Sequence, residues 1–167
     1  MIHVGRRPGD RKESAVLENT MGYSRMIVPV HGTNADRRAI EVAGLLGSGK
    51  SAEIVLVHVV EVAQSLPLEA DLPVEIGAGE QTLREAEEWA RAAASTRVGR
   101  ISPELLQARS AGTAIVDEAI ERGAEVIVMA MCQHLRHGQP TPGKTVPYVL
   151  KNAPCEVIVT RVPSNCD

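Results

Sequence analysis

The stretch Glu53-Ile54-Val55-Leu56-Val57-His58-Val59-Val60 decides the fold. It is apolar at nearly every position, so a strand formed here must bury side chains on both of its faces. Burial on both faces is the condition of a parallel sheet with helices on either side. Upstream, Met26–Val30 (MIVPV) is a shorter apolar run ending in His31-Gly32-Thr33-Asn34, which reads as strand, turn and helix cap. The next segment, Ala35–Leu46, carries Ala39, Ile40, Ala43 and Leu46 on one helical face, and Gly47 and Gly49 follow as stop signals.

Downstream, a connector with Pro67 and Pro73 leads into a helix expected over about Glu80–Ala94, with Leu83, Ala86, Ala90 and Ala93 at helical spacing. Glu104–Arg109 reads as a weaker strand. Thr113 is the expected cap of a helix carrying Ile115, Val116, Ala119 and Ile120 and closed by Gly123. Glu125–Ala130 (EVIVMA) and Glu156–Arg161 (EVIVTR) are two more buried strands, separated by a Gly/Pro/His loop and a short helix near Thr145–Asn152. The order β-α-β-α-β-α-β-α-β predicts an α/β fold, an open doubly wound parallel sheet with right-handed crossovers and helices on both faces. With five strands in the order 3-2-1-4-5, a ligand belongs at the carboxyl ends of the first and fourth strands. That places function at His31–Asn34 and at Met131–Lys144.

Composition narrows the classes of function. The 167 residues are the length of one domain, 44% hydrophobic and 23% charged. A net charge of −3, no Phe, and only Trp89, Tyr23 and Tyr148 as aromatics argue against a nucleic-acid binder. No stretch reaches the ~20 apolar residues of a membrane span. Residues 1–24 carry Arg6, Arg7, Asp10, Arg11, Lys12, Glu13 and Glu18 with no apolar core, so they read as an extension rather than a signal peptide, with Met21 as an alternative start. Cys132, Cys155 and Cys166 form no close pair, which predicts no disulfide framework and a reducing cytoplasm.

Gly44–Ser51 (GLLGSGKS) fits the phosphate-binding pattern G-x-x-x-x-G-K-[ST] at every position. That cradle needs strand, loop and helix in that order, whereas here the helix comes first. The glycines read instead as a helix end and a turn. The segment from Met131 to Gly143 is long for a strand-to-helix connection, which usually takes about 2–6 residues. It holds Cys132, His134, Arg136 and His137, and Lys144 follows it. Cys-x-His-x-x-His is not a common zinc spacing, so polar loop residues or an anion site beside Lys144 and a helix N-terminus are the readings carried forward. His58 reads as a hydrogen-bonded core histidine, Cys155 as a small buried hydrophobe, Trp89 as packing, and Asp36 as a helix-start carboxylate. No G-x-S-x-G, H-E-x-x-H or paired carboxylates appear at the switch point, so the sequence offers no catalytic constellation.

Arg25–Asn34 (RMIVPVHGTN), LVHVVE, Gly112–Ala130 (GTAIVDEAIERGAEVIVMA) and Tyr148–Arg161 (YVLKNAPCEVIVTR) together resemble a universal stress protein domain, over about residues 25–162. This leaves 1–24 as an extension and 163–167 as a tail. The resemblance implies the same 3-2-1-4-5 sheet (the adenine-nucleotide alpha-hydrolase-like arrangement) and, as the cofactor, ATP or AMP. The family's motif G-x2-G-x9-G-[ST] falls on Ala130, Gln133, Gly143 and Lys144: spacing intact, three of four positions changed. His31 stands where an acidic residue is common. By resemblance the nucleotide residues are Pro29, Val30, His31, Val59, Met129, Ala130, Gln133, Gly143, Lys144 and Thr145. Gln133 puts a side chain where the family's backbone approaches the ligand, so weakened ATP binding is expected. The leading reading is a small cytoplasmic stress-response protein that binds a ligand or a protein partner without catalysis. The alternatives are an ATP/AMP sensor with weak ATPase activity, and a module docking on an amino-acid transporter, since the carboxyl-terminal run is also similar to domains appended to amino-acid permeases. The last strand, with Val157, Ile158 and Val159, is expected at a sheet edge and is the expected homodimer interface.

Overall fold

The computed structural model describes residues 22–94, 97–132, 134–136, 139–141 and 143–162, the two short pieces 134–136 and 139–141 as backbone only. The strands are β1 (Arg25–Pro29), β2 (Gly49–Glu61), β3 (Val98–Ala108), β4 (Val126–Met131), β5 (His134–Arg136), β6 (Gln139–Thr141) and β7 (Glu156–Arg161). The helices are α1 (Asn34–Leu46), α2 (Pro73–Ala94), α3 (Ala111–Arg122) and α4 (Thr145–Asn152). Five strands form one parallel sheet in the order β3-β2-β1-β4-β7, which is 3-2-1-4-5 once the small antiparallel β5–β6 hairpin is set aside.

Strand alternation builds two cores. Met26, Val28, Ile54, Leu56, Val126 and Val128 face α1 and α2, where they meet Ala39, Ile40, Ala43, Leu83, Ala86 and Ala90. The intervening residues Ile27, Val55, Val57, Ile127 and Met129 face α3 and α4 and meet Ile115, Ala119, Val146 and Val149. The apolar run of β2 is therefore buried on both sides, as its composition requires. Trp89 packs at the margin of the first core. Gly44 lies within α1 while Lys50 and Ser51 lie within β2, so GLLGSGKS is a helix end running into a strand.

Four expectations are corrected. Helix α2 begins at Pro73 rather than near Glu80; proline has no N–H to lose in a first turn, so it opens the helix instead of interrupting the connector. Strand β3 starts at Val98, because pairing with β2 from Gly49 onward recruits the polar residues ahead of Glu104. The cap of α3 is Ser110, with extended dihedrals, and Thr113 lies inside the helix. Ile120 is 60% exposed, on the outer side of α3. Gly123 does close that helix in a left-handed conformation, its N–H donating to Ile120 O at 3.1 Å.

Candidate functional site

The carboxyl ends of β1, β2 and β4 and the amino ends of α1, α3 and α4 surround a cavity of about 530 Å³. It sits where β1 and β4 lie side by side and their following connections leave in opposite directions, the place where doubly wound sheets bind ligands. Its floor is apolar, from Pro29, Val30, Val57, Val59, Ile115 and Met129. Its rim is polar, from His31, Thr33, Asp36, Glu61, Cys132, Lys144 and Thr145.

Asp36 holds the lip together. Its side chain is buried, and one oxygen, Oδ2, accepts the backbone N–H groups of His31, Gly32 and Thr33 at 2.8, 2.8 and 2.9 Å. Three consecutive N–H groups converge on one oxygen because the chain reverses at Gly32, whose φ of +89° is costly for any residue with a Cβ. The carboxylate is thus the reach-back half of a capping arrangement at the start of α1. Across the cavity, Glu61 Oε1 accepts the N–H of Ala111 at 2.8 Å and caps α3 in the same manner.

His31 is exposed at the lip and stacks on His58, with ring centroids 6.0 Å apart and planes inclined by 21°. His58 Nδ1 donates to Val30 O at 3.0 Å, since a carbonyl can only accept. Burial lowers the His58 pKa below its usual value and the neighbouring His31 lowers it further, against the raising effects of the Val30 carbonyl and Asp36. His58 is therefore hydrogen-bonded as expected but half-buried rather than in the core, and it braces the lip from below.

Lys144 is exposed at the start of α4, directly after Gly143 with φ +72°. Thr145 opens the helix behind it. Cys132 follows β4, with its Sγ 3.8 Å from Thr33 Oγ1, and it is disulfide-bonded. The sequence offers no close cysteine pair and no disulfide framework, and the structure adds this single bond. Cys155 is free and half-buried, and burial followed by the Glu156 charge pushes its thiol pKa up. Among the described residues no group of three or more His, Cys, Asp or Glu could hold a metal ion.

Of the residues named from sequence, Pro29, Val30, His31, Val59, Met129, Ala130, Gly143, Lys144 and Thr145 all line this cavity. Gln133, His137 and Cys166 lie outside the described residues, and His134 and Arg136 fall in the β5–β6 hairpin, whose side chains are not described. Sequence reasoning missed Glu61, Ala111, Ile115 and Val146 as cavity residues, and gave Asp36 a generic role. The rule that ligands lie beyond strand carboxyl ends would have nominated Glu61, which ends the strongest strand. Val157, Ile158 and Val159 lie half-buried on β7, which is an edge of the sheet.

Fold and cavity together define a doubly wound α/β protein with a ligand-sized pocket at its switch point. Residues 22–161 match the Universal stress protein family, and the chain belongs to that family. It is 27% identical over 142 residues to Universal stress protein A homolog 2 of Coxiella burnetii (strain RSA 493 / Nine Mile phase I), covering 84% of this chain and 96% of that one. A universal stress protein from Archaeoglobus fulgidus has the same fold, with a TM-score of 0.66 and 20% identity over 82% of this chain and 98% of the other. A structure of the universal stress protein from Archaeoglobus fulgidus in complex with dAMP is similar at a TM-score of 0.60 and 21% identity, covering 83% and 98%.

Proposed function

We propose that this chain is a cytoplasmic regulatory protein that works by binding an adenine nucleotide in the switch-point cavity, without turning it over. The observation that carries the reading is the division of the cavity into an apolar floor and a rim whose two carboxylates already serve as helix caps. A planar base suits the floor. A phosphate suits the rim, where Lys144, His31 and the start of α4 remain to meet negative charge. The dAMP complex of a similar fold supports the same class of ligand.

Lys144 and Gln133 replace a hydroxyl residue and a glycine of the family motif, so the phosphates lose a hydroxyl contact and close backbone approach. AMP should therefore lose less affinity than ATP from these changes. Isothermal titration with AMP and with Mg-ATP is expected to give micromolar or weaker binding for both. Sub-micromolar ATP binding would refute the weakened motif, and no binding of either at millimolar concentration would refute the nucleotide reading. Gly143→Val is expected to abolish binding, because a β-branched residue is strained at φ +72°.

A second reading concerns assembly. Among the described residues strand β7 pairs with β4 alone and stands at an edge of the sheet, with apolar Val157, Ile158 and Val159 along it. Antiparallel pairing of two copies of β7 about a two-fold axis would satisfy both edges.

A further inference from the structure

We propose that Asp36 and Glu61 select the ligand of the cavity by its hydrogen-bond donors, Asp36 taking a ribose hydroxyl and Glu61 the amino edge of the base. The inference rests on the nucleotide reading and adds what the site discriminates against.

Each carboxylate is half used. All three hydrogen bonds to Asp36 end on Oδ2, and Oδ1 accepts none among the described residues. No fully buried side-chain oxygen among those residues lacks a partner, so Oδ1 keeps contact with open space although the residue is only 5% exposed. Asp36 lines the cavity, and the cavity is that space. Glu61 repeats the arrangement from the end of β2. Its Oε1 caps α3 through the Ala111 N–H, and Oε2 accepts no bond among the described residues. Arg109 donates to the carbonyls of Val62, Ala63 and Leu66, just beyond Glu61, and among the described residues forms no ion pair with it. An ionised carboxylate accepts and never donates. A ligand atom set against either free oxygen must therefore carry a proton.

Strand order says which donor goes where. Lys144 follows β4, Asp36 follows β1 and Glu61 ends β2, and these three strands are neighbours in the order β2-β1-β4. Across two strand spacings of ~4.8 Å each, the rim thus presents a cation, an acceptor and a second acceptor. A nucleoside monophosphate offers the matching series: phosphate, ribose hydroxyls, base edge. With the phosphate at Lys144, the ribose lies over β1 and the base over β2, against Val57 and Val59. The 6-amino group of adenine donates, whereas the 6-oxo group of hypoxanthine accepts and would meet Glu61 oxygen to oxygen. Leaving a carboxylate unpaired costs most where water is excluded. Asp36 is in that position, while Glu61 is exposed and loses part of its preference to solvent.

The test is a set of titrations of the full chain followed by its backbone amide NMR signals, a readout that extends to millimolar affinities. AMP is expected to bind ~10-fold or more tightly than 2′,3′-dideoxy-AMP, which lacks both ribose hydroxyls, and than purine riboside 5′-monophosphate, which lacks the amine. Glu61→Gln supplies a reversal. The Ala111 N–H still needs an acceptor, so the amide oxygen stays on it and the amide nitrogen turns to the cavity as a donor. This variant is expected to lose AMP affinity, gain IMP affinity and bind IMP the more tightly of the two. If AMP binds the parent but either analogue matches it, or Glu61→Gln still prefers AMP to IMP as the parent does, the proposal is overturned and the nucleotide reading stands. If the parent does not bind AMP even at millimolar concentration, that reading falls and this proposal with it. Should Glu61→Gln lose the dispersed spectrum of a folded chain, the two analogues on the parent decide alone.

Discussion

Replacing Asp36 tests the lip directly. Its Oδ2 accepts three backbone N–H groups at 2.8, 2.8 and 2.9 Å, and the side chain is only 5% exposed. A hydrogen bond to a charged group contributes about 1.5–3 kcal/mol, which for three bonds would give an upper bound far above any single cap. Two effects reduce it. The three bonds share one oxygen, and His31 and Gly32 are exposed, so water can take over their N–H groups once the carboxylate is gone. Loss of an ordinary cap costs about 1 kcal/mol. Asp36→Ala should therefore destabilise by about 2–4 kcal/mol, since Thr33 N–H is left less accessible to solvent and α1 loses its acidic start. At ~2–4 °C per kcal/mol for a protein of this size, the melting temperature should fall by about 10 °C.

Asp36→Asn keeps one acceptor oxygen but loses the charge, and should fall between the parent and the alanine variant. Asp71→Ala, at an exposed position in the connector, is the control and should melt within 1–2 °C of the parent, as surface changes usually do. Thermal denaturation followed by circular dichroism reads all three. If Asp36→Ala melts with the control, the three short contacts carry no stability and the reasoning fails.

His58 is kept neutral by burial, so its folded pKa lies below the unfolded value of 6.5 and the unfolded chain binds more protons between the two. Its contribution to stability is complete above about pH 6.5 and is lost as pH falls toward the folded pKa; an NMR titration placing its midpoint at or above 6.5 would contradict this. Sedimentation at tens of micromolar should show a dimer, weakened by proline at whichever of Ile158 and Val159 turns its N–H to the open edge, and a monomer there would refute pairing through β7. A chain starting at Met21 should fold with nearly the same melting temperature as the full chain, because residues 1–20 offer no periodic apolar face; a sharp drop or insolubility would count against it.

The layout of the fold was legible because it rests on burial. Every sheet strand that sequence placed is buried or half-buried on both faces, and apolar runs such as EIVLVHVV record that requirement residue by residue. Helix starts were less legible. Pro73 and Ser110 act through backbone conformation, and Thr113 and Ser110 are equally good caps until the end of β3 fixes which one comes first. The β5–β6 hairpin escaped notice because its strands are three residues each, too short for a period of two to emerge. At the site, resemblance supplied the β1, β4 and α4 residues, whereas Glu61 and Ala111 come together only because β2 and α3 meet across the sheet. Their hydrogen bond joins residues fifty positions apart, which no local pattern encodes.

That bond and its counterpart at Asp36 also explain how a cavity with acidic residues can favour an anion. Each carboxylate sits at a helix N-terminus, where the peptide dipoles place about half a positive charge. Asp36 answers the start of α1 and Glu61 the start of α3. With those pairs mutually satisfied, neither acid is left to repel a phosphate at full strength. The start of α4 differs: its cap position is Lys144, which adds a positive charge to a positive helix end. A lysine there works against the helix. The cost is offset when an anion lies against it, which makes the α4 side of the rim the part of the cavity best matched to a ligand's negative charge.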